Sequence, residues 1–383
     1  MAEASIFERN PWTTGLGIFV LLWGVAEVSS CAIGPAHRRD RADRARNARE
    51  VLYRVPSIAF HHGLAPGVQV EGARWAGYTP YSMRTNSLGF RDARVREVPL
   101  VSDVHRILLI GDSFTEGLGV PWESSFAGQA SAALSPTVEI LNAAAVSYSP
   151  VLYYAKVKHL LDEVGLEFDE LYVFLDLSDV KDETEYTVLP GGRVVKHSEI
   201  GRGDSEPEAE PGFAARLLRH SAIAKEVGWF REALAERRSG RPSGYRLEFR
   251  PGLWTLEDDA WEEFGREGLR LAARHMDALH SLVSARGIPL TLAVYPWPDQ
   301  IYRGDLDSRQ VRFWGRWASE RGVGFIDYFP RFIDGRPWRE VLDRYFLPHD
   351  QHWTREGHAV IAQGLLERVR GGAPGGTRGP RTR

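Results

Sequence analysis

Cysteine is almost absent from this chain of 383 residues, with Cys31 standing alone. A single thiol cannot form an internal disulfide, and it cannot build a cysteine-based zinc site. Charge of one sign is not in excess either. The formal net charge is −3, which excludes the global positive field that gathers nucleic acid. Internal repeats are missing, so solenoid and propeller architectures are excluded. Long apolar runs are missing too, with one exception near the N-terminus. What remains is a chain with 43% hydrophobic residues and 12 tryptophans, enough for a sizeable core in one large domain with additions.

The exception is "WTTGLGIFVLLWGVAEVSSCAIG", Trp12 to Gly34, whose one charge is Glu27. At about 1.5 Å per residue such a stretch crosses a hydrocarbon core of about 30 Å. It predicts a single-span membrane helix, with residues 1–36 as an anchor. A cleaved signal fits less well, because Glu27 precedes "VSSC" and no basic segment leads in. Six arginines follow between Arg38 and Arg49, and only Arg9 precedes the span. Counted this way, the positive-inside tendency places the body in the cytoplasm.

Residues 37–100 read as a turn-rich, aromatic lead-in ending in "YSMRTNSLGFRD". Residues 101–370 then alternate strand and helix. Apolar strands are predicted over 106–111, 137–141, 170–175, 289–295 and 323–326. Helices are predicted over 123–134, 151–164, 256–286, 307–321 and 355–369. Strands separated by helix-length segments pair in parallel through right-handed crossovers. The expected fold is therefore α/β, a three-layer α/β/α sandwich on a mostly parallel five-stranded sheet. The crossover containing 183–255 is too long for one helix and reads as an insertion, with the acidic "RGDSEPEAEPG" inside it. The tail 371–383 is basic, glycine-rich and without apolar anchors, and is expected to be disordered.

The first strand ends in "RILLIGDSFTEGLGV", residues 106–120. Open α/β sheets keep their ligand sites at strand carboxyl ends. Ser113 there is either a helix cap, a role open also to Asp112, or a nucleophile. A serine hydroxyl attacks only once a base takes its proton, and the usual base is a histidine oriented by a carboxylate. "LPHDQHWTREGHAVIA", residues 347–362, offers both. Asp350 and His352 stand two apart before a helix that Thr354 caps, and i, i+2 side chains of an extended loop share one side. His349 and His358 compete for the role. His349 follows a proline that shapes the loop, and His358 falls on the helix, where packing is the simpler reading.

"GDSFTEG" after an apolar strand, with "DQHWTREGH" near the C-terminus, resembles the SGNH/GDSL hydrolase superfamily. The Asp-x-His-Trp spacing is similar to the branch containing alginate O-acetylation proteins, and "TNSLGFRD" resembles the lead-in of many bacterial members. The resemblance covers roughly residues 80–370, broken by the insertion. It implies a flavodoxin-like fold with Ser113 as nucleophile, His352 as general base and Asp350 as its orienter. It also implies an oxyanion hole. The family's second block has a glycine where "LNAAAVSYSP" has Ser147, and its third has an asparagine where "FLDLSDVKDE" has Ser178. A backbone N–H survives the first change, whereas a hydroxyl reaches less far than an amide in the second. Asp176, Asp179 and Asp182 read as loop and cap residues, so no metal and no cofactor is expected.

The implied function is a membrane-anchored serine esterase acting on O-acyl, chiefly acetyl, esters of small molecules or carbohydrates. A polysaccharide O-acetyltransferase would use the same triad, and a non-catalytic membrane-tethered binding protein is the rival from another class. Trp297 and Trp353 are either sugar-stacking surfaces or packing residues. Acetyl-polysaccharide chemistry places the body outside the cytoplasm, against the arginine count.

Overall fold

The computed structural model describes residues 49–75, 79–200 and 244–371 throughout, with scattered positions within 12–29 and 221–230. The chain divides into two compact units, residues 1–48 with 204–243, and residues 49–203 with 244–383. In the smaller unit the described positions of 12–29 are helical, and apolar side chains such as Leu21 and Val25 are exposed. Glu27, the one charge of the apolar stretch, accepts from Ser221 Oγ at 3.0 Å and from Ile223 N–H at 3.3 Å. Among the described residues no helix is long and apolar enough to cross a membrane. Much of the expected span Trp12–Gly34 lies outside those residues, as do the acidic segment at 202–212 and the tail from 372.

The larger unit opens with two antiparallel pairs, β1 (Arg54–Ser57) with β2 (His61–Leu64) and β3 (Gln69–Ala73) with β4 (Tyr81–Arg84). The alternating part follows. It begins with β5 (His105–Gly111), α1 (Ser113–Glu116), α2 (Phe126–Leu134), β6 (Val138–Asn142), α3 (Pro150–His159), β7 (Glu170–Leu175) and α4 (Asp179–Glu183). A hairpin of β8 (Tyr186–Val188) and β9 (Val194–Lys196) comes next. After the second unit's return at residue 244 come α5 (Arg266–Ser284), β10 (Leu290–Val294), α6 (Pro298–Arg303), α7 (Arg309–Arg321) and β11 (Gly324–Asp327). The unit closes with α8 (Phe329–Phe332), α9 (Trp338–Tyr345) and α10 (Arg355–Gly371).

Five strands form one parallel sheet in the order β11-β10-β7-β5-β6. Numbered along the chain this is the 2-1-3-4-5 order of flavodoxin-like sheets. Ile107 to Ile110 are fully buried, as the unbroken apolar run requires of a central strand with helices over both faces. α3, α4, α5 and α7 pack together on one side, and α2, α9 and α10 on the other. Chain direction reverses beside β5, whose neighbours β6 and β7 lie on opposite edges, so a crevice opens at the carboxyl ends of β5 and β7.

Local chemistry sets the element ends. Ser125 caps α2 by accepting from Gly128 N–H at 3.1 Å, Pro150 starts α3, and Thr354 accepts from Gly357 N–H at the start of α10. The expected helix over 256–286 is regular α-helix only from Arg266. Ahead of it Trp254 is buried and donates to the Leu177 carbonyl at 2.9 Å, which ties this part of the expected insertion to the sheet unit.

Lys156 on α3 is an exception to the apolar interior. It is 2% exposed, with its ammonium 5.0–5.5 Å from the ring centres of Phe60, Phe90 and Tyr148. Burial pulls its pKa from 10.5 down to about 7, with the charge of Glu116 opposing. The unfolded state then holds more protons than the folded one between about pH 7 and 10.5, so stability rises with pH across that window. Below about pH 7 the full cost of charging the buried amine applies, on the order of a few kcal/mol. Lys156→Met is therefore expected to raise the urea midpoint clearly at pH 6 and little at pH 9.5. Equal gains at both pH values would contradict this account.

Candidate active site

β5 delivers its last residue, Gly111, to the crevice, and Asp112 caps the short helix that follows. Its Oδ1 accepts from Phe114 N–H at 3.0 Å, so Asp112 takes the cap and Ser113 becomes the first helical residue. The helix ends after one turn at Gly117, whose φ of 85° is the left-handed geometry open to glycine. A Cβ at this position would also press on Arg91 and Ser125. Arg91, from the "TNSLGFRD" lead-in, is buried and closes the turn. It donates to the carbonyls of Glu116 at 2.7 Å and Val120 at 2.5 Å, and to that of Gly117.

Ser113 Oγ lies 2.8 Å from His352 Nε2. On the far side of the imidazole, Nδ1 is 2.5 Å from Asp350 Oδ1, which also accepts the His352 backbone N–H at 2.9 Å. The carboxylate accepts from Nδ1–H, which fixes the tautomer and leaves Nε2 as an acceptor for the hydroxyl proton. Trp75 donates from Nε1 to Asp350 Oδ2 at 2.7 Å and sets its ring edge-on to His352. Burial by itself would raise the Asp350 carboxyl. The His352 ring, its hydrogen bonds and Trp75 outweigh that and hold it below the usual carboxylate range. His349 is exposed in a left-handed turn. His358 is buried, accepts from Phe126 N–H at Nδ1 and packs on Phe126 and Trp353.

The oxyanion side is less regular. Asn142 donates to the Thr115 carbonyl at 2.7 Å and Glu116 Oε2 accepts from Val146 N–H at 2.8 Å, so the loop after β6 is tied to the nucleophile's helix. Ser147 on that loop adopts φ of 58°, a left-handed geometry that glycine enters without strain. Neither the Ser113 nor the Ser147 N–H meets an acceptor among the described residues. Ser178 requires a correction. Its hydroxyl donates to Asp176 Oδ2 at 2.6 Å, and it occupies the cap position of α4. One proton committed to a carboxylate is not free for an oxyanion, so the expected side-chain donor is lost.

Asp176 and Asp179 come together with Asp112, one oxygen from each lying within 4.8 Å of the others, while Asp182 stands apart. This set is the one group able to hold a cation among the described residues, yet protein donors already occupy much of it. Asp176 accepts from Trp297 Nε1 at 2.7 Å and from Ser178, and Asp179 accepts from Tyr153 OH at 2.8 Å. Burial, then repulsion from Asp176, raises Asp112 well above the usual range, and burial raises Asp176 as well. Trp297 and Trp353 are 1% and 0% exposed, so both pack and neither offers a face to a sugar. Sequence reasoning missed Trp75, Arg91, Glu116 and Arg54, although Arg91 and Glu116 sit inside motifs it had singled out.

Ser147→Gly is expected to stabilise the protein by about 0.5–1 kcal/mol, the left-handed strain relieved less the entropy glycine adds. Ser147→Val should destabilise it, and thermal melts of the two variants check the signs. His352→Ala is expected to abolish attachment of a fluorophosphonate to Ser113, whereas His358→Ala should retain most of it. Intact-mass measurement showing the reverse would mean the base is misassigned.

No protein-family model matches the chain, and no curated protein does. Among solved structures, a lipolytic protein of the G-D-S-L family from Veillonella parvula is similar at 14% identity. It covers 69% of this chain and 97% of its own, with a TM-score of 0.38. A catalytic mutant of an acetylxylan esterase from Geobacillus stearothermophilus is similar at 12% identity, covering 71% and 96%, with a TM-score of 0.37. An α/β hydrolase from the metagenome of Lake Arreo, Spain, is similar at 14% identity, covering 71% and 97%, with a TM-score of 0.36. The 2-1-3-4-5 parallel sheet and the Ser113–His352–Asp350 contacts agree with the resemblance to SGNH/GDSL hydrolases carried by the two end motifs.

Proposed function

We propose that this chain is a serine ester hydrolase of the SGNH/GDSL type, working through an acyl-serine intermediate on acetyl esters of a carbohydrate. The observation that carries the reading is the unbroken run from Ser113 Oγ to His352 to Asp350, at 2.8 and 2.5 Å. Ser113 Oγ attacks the ester carbonyl carbon while its proton passes to His352 Nε2. The resulting imidazolium is stabilised by Asp350 and returns the proton to the leaving alcohol. Water then attacks the acyl-serine, giving its proton to His352, and His352 passes that proton to Ser113 Oγ as the acid departs.

The N–H groups of Ser113 and Ser147 stabilise the oxyanion. Without the family's asparagine amide the site works with one donor fewer, a loss on the order of 100- to 1000-fold in rate. A modest turnover number is therefore part of this reading. If the site excludes water, a sugar hydroxyl takes the acyl group by the same steps and the product is a transferred ester.

The stretch Trp12–Gly34 anchors the protein in a membrane on this reading, with the catalytic body outside the cytoplasm. Its length and apolar composition support that role. The alternative of a tethered binding protein is tested directly. Wild type is expected to take up one fluorophosphonate at Ser113 and to release acetate from acetylated oligosaccharides, with both activities absent in Ser113→Ala. Wild type and Ser113→Ala equally inert toward the probe and the esters would replace the enzyme with a binding protein.

A further inference from the structure

Ser147 carries a non-glycine side chain at φ of 58°, where an L residue is strained by about 1–2 kcal/mol. Turning over a neighbouring peptide plane is the most direct way to release such strain. The structure blocks it on both sides of Val146. The Val146 N–H donates to Glu116 Oε2 at 2.8 Å. The Val146 carbonyl accepts from His62 Nε2 at 2.7 Å. In a trans peptide the C=O and the N–H lie in one plane and point in opposite directions. A hold on the Val146 carbonyl is thus a hold on the Ser147 N–H.

The hold is itself well fixed. A carbonyl only accepts, so the proton of His62 must sit on Nε2. Burial lowers the pKa of His62 to about 4, against the effect of the carbonyl bond, and the ring is neutral above that. Its Nδ1 is then an acceptor and lies 2.7 Å from His61 Nδ1. His61 Nε2 in turn faces Glu199 Oε1 at 3.1 Å. Tyr148 stands edge-on to the His62 ring and donates from its hydroxyl to the His62 carbonyl at 2.5 Å. On the other side, Arg54 grips Glu116 through two hydrogen bonds of 2.9 Å.

We infer that His62 is a positioning residue that fixes the Ser147 N–H as an oxyanion donor, acting through the carbonyl of the same peptide. The inference rests on the acyl-serine reading of the site. It matters more here than in a site with three donors, because the Ser178 hydroxyl is committed to Asp176. A donor that swings away when the transition state forms contributes nothing to it.

The test uses the full chain with three substitutions, His62→Ala, His62→Gln and His62→Met, assayed on an aryl acetate and by fluorophosphonate labelling. His62→Ala and His62→Met are expected to lower kcat by about 10- to 100-fold with KM little changed, as loss of a contact made in the transition state requires. His62→Gln, whose side-chain amide donates to the same carbonyl, should recover most of the rate. If His62→Ala fails to fold, the Gln and Met pair decides, since the two have similar volume and differ in the donor. Equal kcat for wild type and His62→Met, or Gln no better than Met with both melting like wild type, would overturn the positioning role alone. A wild type that takes up no fluorophosphonate at Ser113 would overturn the acyl-serine reading, and this role with it.

Discussion

The hydrogen bond between Ser113 and His352 joins residues 239 positions apart. A neutral bond of this kind contributes only about 1 kcal/mol net, so it cannot organise the fold. The fold has to organise it. Ser113 is fixed by a central strand, an aspartate cap and the three carbonyls that Arg91 gathers. His352 is fixed by Asp350 and, through it, by Trp75. Between them lies an aromatic floor. The Phe114 ring is 4.6 Å from both His352 and Trp353, and Tyr295 closes on Trp353 at 4.7 Å. That floor keeps water from the triad's underside, where a weak bond gains strength from the low dielectric.

Glu116 shows how one buried charge can serve several elements at once. Its carboxylate meets Arg54 from β1 and the Val146 N–H, while its own carbonyl accepts from Arg91. Burial alone would raise this carboxyl, but Arg54, with Arg91 and Val146, outweighs it and holds it below the usual range. A buried ion pair of this kind contributes less to net stability than to geometry, since desolvation offsets most of the attraction. Its value is that the lead-in strand, the Ser113 turn and the loop after β6 share one anchor. The lead-in is thus a wall of the site rather than a preface to it.

Local pattern made the sheet and the triad legible. The apolar run Ile107–Ile110 can only be a doubly covered strand, and Asp350 and His352 are close enough in sequence for their geometry to follow from an extended loop. The partners of those residues left no such trace. Trp75 meets Asp350 across 275 positions and Arg54 meets Glu116 across 62, and no periodicity encodes a polar contact of that range. Ser178 is a different case. Its capture by Asp176 is a two-residue turn contact of the kind aspartate favours, and the Asp-x-Ser order in "FLDLSD" already carried it. Position within a resembling family suggested a donor, while the chemistry of the immediate neighbour took that donor away.

A cluster of buried carboxyls, Asp112, Asp176 and Asp179, lies beside Ser113. Ser113 has one proton and two acceptors in reach, His352 Nε2 at 2.8 Å and Asp112 Oδ2 at 3.2 Å. An ionised Asp112 would draw that proton and turn the hydroxyl from attack. Burial raises Asp112, Asp176 and Asp179 alike, and mutual repulsion adds to it at Asp112 and Asp179. Donors converge on Asp176, with the Ser178 hydroxyl and N–H and the Trp297 indole all directed to it. These bonds favour the charged form of Asp176, whereas repulsion from Asp176 disfavours that of Asp112, whose Oδ1 caps the helix. An Asp112 disfavoured as a charge competes less with His352 for the Ser113 proton. The Ser178 contact that turns its hydroxyl away from the expected oxyanion side is thus also one of the bonds that favour charge on Asp176 rather than beside Ser113.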